Sequence, residues 1–320
     1  MARPRYPVSD HCDGTKFFNP HAISGRDLGD VIKWQRERHS VAWPEQVALI
    51  PQPPPPTSLA PGRVAATFIG HSTFFLRTAA ATLITDPVFT THAGPFGRSG
   101  PRRVRPPAIT IDRLPAVSVA LVSHNHYDHL QPSSLRALRD KSDPVLVAPL
   151  GLEPFLRGIG LSKVTELDWW ESYDAGPARI TAVPAQHFSA RTPFDRNRTL
   201  WCGFIVGSGD ATIYFAGDTG YSPQFAEIGR RFSAIDLALI PIGAYEPRWF
   251  MQPMHVNPAE AVRIYRDVEP RVALGMHFGT FRLTDEGIDD PLRALDAARA
   301  EAGLRDDAFR VLEFGESAIV

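Results

Sequence analysis

From residue 63 onward the chain alternates between short apolar runs and stretches in which apolar residues recur at three- and four-residue spacing. The runs at 64–69, 74–77, 82–85, 118–123, 145–148, 180–183, 203–206, 212–216, 237–240 and 272–274 are strand length. Each is bounded by Gly, Pro, Asp or His, residues that turn the chain or end a ladder. Helical spacing marks 133–141, 223–230, 258–267 and 291–302, each with Ser or Pro at its first turn, where a missing N–H costs nothing. Paired early strands followed by alternating strands and helices predict an α/β fold, with sheets sandwiched between helices. No short-period repeat is present.

Residues 1–62 have a different character, rich in Pro, polar groups and aromatics. They culminate in Pro51-Gln52-Pro53-Pro54-Pro55-Pro56, a run that favours polyproline II and withholds backbone donors. One helical stretch, 27–38, interrupts the segment. Phe17, Phe18, Trp34 and Trp43 are apolar anchors that a free tail does not need. The expected organisation is therefore an N-terminal extension over 1–62 packed on a core domain over 63–320.

Composition narrows the function classes. With 43% hydrophobic and 22% charged residues in 320, the chain is globular in character and disorder is excluded as its dominant state. The 34 Lys+Arg against 35 Asp+Glu give a net charge of −1, and no basic stripe interleaved with aromatics appears, which argues against nucleic acid as a partner. Cys12 and Cys202 are too few for a disulfide framework or a thiolate-rich metal site, so a transition metal here must use His and carboxylate. No run approaches the roughly 18 apolar residues of a membrane span. The basic N-terminus lacks the apolar run of a secretory signal, so a cytoplasmic protein is expected, with peripheral contact at a membrane left open.

The decisive segment is Leu121-Val122-Ser123-His124-Asn125-His126-Tyr127-Asp128-His129-Leu130, an apolar strand running directly into a cluster of metal-capable side chains. Packing does not call for such density, and ionisable groups placed together perturb one another unless a cation compensates. Neutral imidazole and carboxylate are ordinary ligands for Zn²⁺ and related ions. A turn at a strand end can aim His124 and His126 at one ion while Asp128 and His129 face another. His187, Asp218 and His277 each follow a further apolar run, and strand carboxyl ends in α/β sheets converge on one crevice. Taken singly, His187 or His277 reads equally as a satisfied core histidine, and Gly217-Asp218-Thr219-Gly220 as a turn.

As a set, these residues resemble the metallo-β-lactamase superfamily, whose signature is the His-x-His-x-Asp-His loop with later His, Asp and His ligands. Further blocks resemble the branch of that superfamily containing N-acyl-phosphatidylethanolamine-hydrolysing phospholipase D. They include Leu167-Asp168-Trp169-Trp170, Phe215-Ala216-Gly217-Asp218-Thr219-Gly220-Tyr221, Ile240 through Met251, His255-Val256-Asn257-Pro258 and His277-Phe278-Gly279-Thr280-Phe281. The resemblance implies an αββα sandwich with two divalent metal ions per chain, Zn²⁺ first with Mn or Fe as substitutes. It places one ion on His124, His126 and His187, the other on Asp128, His129 and His277, with Asp218 bridging. A hydroxide would share the remaining position. Asp128, Asp218 and His255 are then the residues at the reacting centre.

Around this set stand residues with two readings each. His71 and Asp86 end apolar strands and read either as partners that orient the ligands from behind or as turn and core hydrogen-bonding groups. Arg98 lies in a Gly/Pro-rich loop with Arg102, Arg103 and Arg105, and reads either as a phosphate contact or as a solvated side chain. Tyr245 and Trp249 read either as a wall for an acyl chain or as core. The leading functional reading is a dinuclear hydrolase acting on a phosphodiester such as N-acyl-phosphatidylethanolamine, with a small-molecule or phospholipid substrate as its partner. The alternatives are a lactonase or other carbonyl hydrolase of the same fold and, outside enzymes, a metal-binding interaction module.

Overall fold

Period-two alternation within the strands decides the layering. In β4 (Val119–Leu121), Val119 and Leu121 enter one apolar cluster while Ala120 and the following Val122 enter another. Both faces of the sheet are therefore covered. The computed structural model of the chain describes residues 6–21, 26–39 and 41–320.

The first sheet contains β1 (Ala65–Gly70), β2 (Thr73–Arg77), β3 (Thr82–Thr85), β4, β5 (Val145–Pro149) and β6 (Val164–Leu167), with β14 (Ser317–Ile319) added beside β1. The second contains β7 (Ser172–Ala175), β8 (Ala178–Val183), β9 (Gly203–Ser208), β10 (Ala211–Phe215), β11 (Leu237–Pro241), β12 (Val272–Met276) and β13 (Phe309–Arg310). Each sheet begins as an antiparallel meander and finishes as parallel strands, β3 to β6 in one and β10 to β13 in the other.

Helices fill the outer layers. Leu135 and Leu138 of α2 (Pro132–Ser142) and Leu156 of α3 (Glu153–Gly158) pack with Ala120, Val122, Leu146 and Ala148 on the far face of the first sheet. The helices α4 (Gln224–Arg231), α6 (Pro258–Val268) and α7 (Asp290–Ala302) bury Phe225, Ile264 and Leu295 in the cluster that includes the second sheet, and α5 (Arg248–Met251) is a single turn. The result is the expected αββα sandwich. The Asn257 side chain accepts from Glu260 N–H while the Glu260 carboxylate accepts from Asn257 N–H, a reciprocal cap with Pro258 at the first helical position of α6. This cap leaves His255, two residues earlier, free of the helix end.

Four strands escape the hydrophobic pattern: β6, β7, β13 and β14. All four are sheet edges. Edge strands are short and carry polar side chains, as Ser172 and Asp174 do, so their pairing is decided by the neighbour they find. Among the described residues no helix is long and apolar enough to cross a membrane.

The N-terminal segment lies on this sandwich. Phe17 and Cys12 are buried, and Phe17 N–H donates to Asn197 O at 2.8 Å. The helix α1 (Leu28–Glu37) turns Trp34 so that its indole donates to Asp285 at 2.9 Å, and the Trp43 indole donates to Glu286 O at 2.9 Å. Phe18 does not act as the expected anchor. It is 41% exposed, because its neighbour Phe17 takes the inward position and successive side chains of an extended segment point opposite ways.

His11 clips the segment down, with Nδ1 2.6 Å from Asp10 and Nε2 2.8 Å from Asp168, its ring stacked on Trp169 at 4.3 Å. Burial alone would lower its pKa, but Asp168 and then Asp10 outweigh burial and raise it. A raised histidine contributes stability that is complete below its unfolded value of about 6.5 and is lost as pH rises through the folded value. Native-state proteolysis should therefore cut the N-terminal segment faster as pH rises above that window. In His11→Asn the pH dependence should disappear, and an unchanged profile would remove His11 as its cause.

Candidate metal centre

Six strand ends deliver the site. His71 follows β1, Asp86 follows β3, the 123–129 turn follows β4, and His187, Asp218 and His277 follow β8, β10 and β12. His71, Asp86 and His277 take positive φ values of 60°, 31° and 62°, a conformation unfavourable for side chains with a Cβ and one that clusters at functional sites. Gly217, ahead of Asp218, has φ 62°, and a Cβ there would stand 2.8 Å from Cys202 O. Only glycine fits this approach. Within the 123–129 turn, His129 N–H and Leu130 N–H both donate to His126 O, at 3.1 and 2.8 Å. That single coil separates the Asp128–His129 pair from His124 and His126.

Two donor groups result. In the first, His126 Nδ1 stands 2.8 Å from His124 Nε2 and 3.2 Å from His187 Nε2. The outer nitrogens of two of these rings are already committed. His187 Nδ1 donates to Met254 O at 2.8 Å, and His124 Nδ1 donates to Ser123 Oγ at 2.9 Å, since that hydroxyl spends its own proton on Asp86 at 2.6 Å. Both Nε2 atoms are thereby left as lone pairs facing His126 Nδ1. One shared proton satisfies a single pair, whereas a cation satisfies all three nitrogens at once.

The second group gathers His71, Asp128, His129 and His277. Asp128 Oδ2 lies 3.1 Å from His71 Nε2, 3.5 Å from His129 Nε2 and 3.4 Å from His277 Nε2. Between the groups stands Asp218, whose Oδ2 is 3.1 Å from His129, 3.0 Å from His277, and 3.9 Å from both His187 and His255. Asp218 is thus the carboxylate within 4 Å of histidines of both groups.

Behind the donors lies Asp86, fully buried, accepting from Ser123 N–H at 2.7 Å, Ser123 Oγ at 2.6 Å and His129 Nδ1 at 2.6 Å. It fixes the His129 tautomer so that Nε2 faces inward. His71 does the same for Asp128 from the other side, and its own main chain is held by Thr280 Oγ1 at 2.9 Å. Ser123 and Met254 O complete this layer. Neither was singled out beforehand, because a serine or a carbonyl at a strand or helix end carries no distinguishing signal in sequence.

The electrostatics are those of a site built around missing positive charge. Burial, with neighbouring histidines, holds His124 well below its ordinary pKa and His126 at about 3, and burial takes His187 to about 4. Burial also lowers His71 to about 3 and keeps His255 well below. For His129 and His277 burial acts the same way, but Asp218 and Asp128 overcome it, raising His129 well above the usual value and His277 to about 9. Asp128 and Asp218 are in turn held low, chiefly by His129, against the opposite pull of burial. Even so, His129 Nε2, His277 Nε2, His255 Nδ1 and Asp218 Oδ1 find no hydrogen-bond partner though buried. Orphaned imidazole and carboxylate atoms converging on one place, beside rings that burial keeps neutral, are what divalent cations require, so the residues present fit that group.

The outlying candidates are not drawn into this cluster. Arg98 and Arg102 are exposed. Arg103 is buried and spent on main chain, donating to Thr90 O at 3.0 Å and Val88 O at 2.6 Å above the Phe281 ring, with burial lowering its pKa to about 9. Arg105 donates to Gly279 O at 2.6 Å. These two arginines tie the 88–105 loop to the loop after His277, a structural duty where a phosphate contact was the alternative. Tyr245 and Trp249 line a chamber of about 930 Å³ beside α1, with no metal-type residue of the cluster in its wall. Lys33 covers the Trp249 ring at 4.7 Å.

Comparison with known proteins agrees with this architecture. A family described as Beta-lactamase superfamily domain matches residues 81–278. The N-acyl-phosphatidylethanolamine-hydrolyzing phospholipase D 1 of Caenorhabditis elegans is 37% identical over 266 residues, 78% of this chain and 74% of that protein. The mitochondrial N-acyl-phosphatidylethanolamine-hydrolyzing phospholipase D of Saccharomyces cerevisiae is 35% identical over 250 residues, 76% of this chain and 53% of the yeast protein. The solved metallo hydrolase Igni18 from Ignicoccus hospitalis shares the fold, with a TM-score of 0.61 at 20% identity over 81% of this chain and 98% of that one.

The chain is a metal-dependent hydrolase of the metallo-β-lactamase superfamily. Within it, the chain belongs to the branch that contains the N-acyl-phosphatidylethanolamine-hydrolysing phospholipases D.

The layer behind the donors gives a graded expectation. Asp128→Asn should weaken mainly the ion of the second group and leave the His124 group loaded. Asp86→Ala should weaken metal binding by about 10- to 100-fold, and strand the buried Ser123 N–H at a cost of about 1–3 kcal/mol in stability. Metal retention under a chelator series, read with thermal melts, checks both. Equal loss of both ions in Asp128→Asn would contradict the division into two groups.

Proposed function

We propose that this chain is a dinuclear phosphodiesterase of phospholipase D type that cleaves an N-acyl-phosphatidylethanolamine-like lipid. The observation that carries the reading is Asp218, one carboxylate reached by histidines of both donor groups, in a chain whose worm and yeast relatives bear that activity in their names. His124, His126 and His187 would hold one ion and Asp128, His129 and His277 the other, with Asp218 joining them. Zinc suits these donors first, and Mn or Fe are accepted according to supply. When bound, such a pair supplies two Lewis acids that lower the pKa of water and neutralise phosphoryl oxygens.

The chain's own residues then divide the remaining work. Asp86, Ser123, Met254 O and His71 keep the donors in one tautomer and one orientation, so no reorganisation is needed at the moment of reaction. Asp128 and His255 retain 14% and 12% side-chain exposure where His129, His187, His277 and Asp218 retain at most 2%, which marks the side from which a substrate arrives. His255, held neutral by burial, offers a hydrogen bond at Nδ1 and stores no charge.

Arg98 and Arg102 are exposed, and the 90–102 loop leans on the turn that carries Asp128 through Gln131, which donates to Gly94 O and Tyr127 O. On this reading they meet the diester phosphate as it approaches. The chamber beside Tyr245 and Trp249, lined by Glu37, Glu246, Asp285, Glu286 and Asp290 with Arg293 and His39, carries more acidic than basic side chains and suits a phosphate less well. The same reading keeps the division at residue 62, an extension laid on a hydrolase domain over 63–320, and a cytoplasmic protein working at the membrane surface.

Elemental analysis should find about two ions per chain after reconstitution. His187→Ala and Asp218→Ala should each lower turnover by about 100-fold or more with the fold retained. Metal-loaded enzyme should be offered a chromogenic phosphodiester, N-acyl-phosphatidylethanolamine in mixed micelles and a set of small lactones. Turnover of lactones alone would favour the carbonyl-hydrolase alternative and end the phosphodiesterase reading. Turnover of the chromogenic diester without the lipid would keep the reaction and change the substrate. Metal binding with no turnover of any ester would leave the interaction-module alternative.

A further inference from the structure

We infer that Asn19 is a positioning residue for the metal centre, clamping the main chain of His187 from the N-terminal segment so that this segment helps to aim the His187 ring. The inference rests on the reading of His187 as a ligand. Asn19 Nδ2 donates to His187 O at 2.7 Å, while Asn19 Oδ1 accepts from His187 N–H at 3.3 Å and from the Trp201 indole at 3.1 Å. His187 lies beyond the end of β8 and has no ladder partner. Its neighbours are held by others: Gln186 N–H by Thr219 Oγ1 at 2.9 Å, Gln186 O by Gly220 N–H at 2.7 Å, and Ser189 O by Asn197 N–H at 2.8 Å. Among the described residues, the Asn19 carboxamide alone satisfies both main-chain groups of His187.

The chemistry at residue 19 is narrow. His187 is buried, so its N–H and C=O need an acceptor and a donor at fixed spacing, which one primary amide supplies. Asn19 can serve because the two residues just before it are pinned, with Phe17 N–H on Asn197 O at 2.8 Å and Phe18 N–H on His11 O at 2.9 Å. The ring is then fixed at two points, the main chain through Asn19 and Nδ1 through Met254 O. Loss of the first point lets the ring pivot about the second.

The test uses the full chain loaded with zinc, and compares Asn19→Leu, Asn19→Asp and His187→Ala with the unmodified protein. Metal retained per chain under increasing chelator, the melting temperature of the metal-free protein and the split between kcat and KM are read for each. Asn19→Leu should release one ion at about 10-fold lower chelator while the other stays, with kcat falling more than KM changes and the metal-free melting temperature near that of the unmodified protein. Asn19→Asp keeps the acceptor and loses the donor, so it should fall between the two. It also serves if the leucine variant folds poorly.

Retention of both ions in Asn19→Leu and Asn19→Asp would overturn the proposal, as would loss of both ions in step with the melting temperature, which is what a purely structural contact gives. If His187→Ala loses an ion and the Asn19 variants do not, the role of Asn19 alone falls. If His187→Ala keeps both ions, the ligand assignment beneath it falls as well.

Discussion

The structure turns on one electrostatic demand: buried Asp218 and Asp86 and largely covered Asp128 face five imidazoles, with no lysine or arginine among their ion-pair partners in the described residues. Carboxylates taken out of water at this depth need compensation, and protonation of His129 and His277 supplies it only in part. On the proposed reading, the remaining demand is what divalent cations would meet, with His124, His126 and His187 held neutral by burial and able to receive one. The groups that make the site reactive are thus also the groups that make it costly without metal. A cation bound there would displace the protons of His129 and His277, so on the proposed reading metal binding and protonation at this site are coupled.

Asp86 shows how that equilibrium is tied to the fold. It sits at the end of β3, and its three hydrogen bonds run to Ser123 and His129 at the end of the adjacent parallel strand β4. The register Thr85↔Leu121 places the two strand ends level, so a one-residue slip would break all three bonds and turn the apolar residues of β4 to the wrong faces. Packing and chemistry therefore enforce the same register. The left-handed conformations of His71, Asp86 and His277 each fall one residue beyond a strand end, where the ladder residues Gly70, Thr85 and Met276 fix the chain leading into them.

The central strands and the His124–His129 cluster were legible in the sequence because both depend on short-range pattern, whereas His187, Asp218 and His277 joined that cluster only through the family resemblance. Val119–Leu121 and Val272–Met276 are apolar because they are covered on both faces, and His124 through His129 crowd together because one turn serves two donor groups. The edge strands were not legible, since Ser172–Ala175 and Ser317–Ile319 owe their pairing to a neighbour far away in the chain. The same reason hid Ser123 and Asn19, whose side chains become informative only beside partners that folding brings to them. Arg103 departs from both of its readings, phosphate contact and solvated side chain: it is buried and donates to Val88 O and Thr90 O.

The residues matched by the superfamily, 81–278, contain all seven ligand-type side chains, and what lies outside them is of a different kind. The first sheet is completed there by β1, β2 and β14, with Ala65 paired to Ile319, and His71 follows directly on β1. The N-terminal segment, also outside, covers Trp169 with His11, holds His187 through Asn19 and walls the acidic chamber with Trp34, Glu37 and Val41. A shared ligand set can fix only what all bearers of it have in common, namely how a cation pair is held. What distinguishes one substrate from another must be built from surfaces that the ligands do not dictate. On the proposed reading, the surfaces open to that task in this chain are the N-terminal segment, outside the matched residues, and the arginine-bearing loop at 94–107, which lies within them between Asp86 and His124.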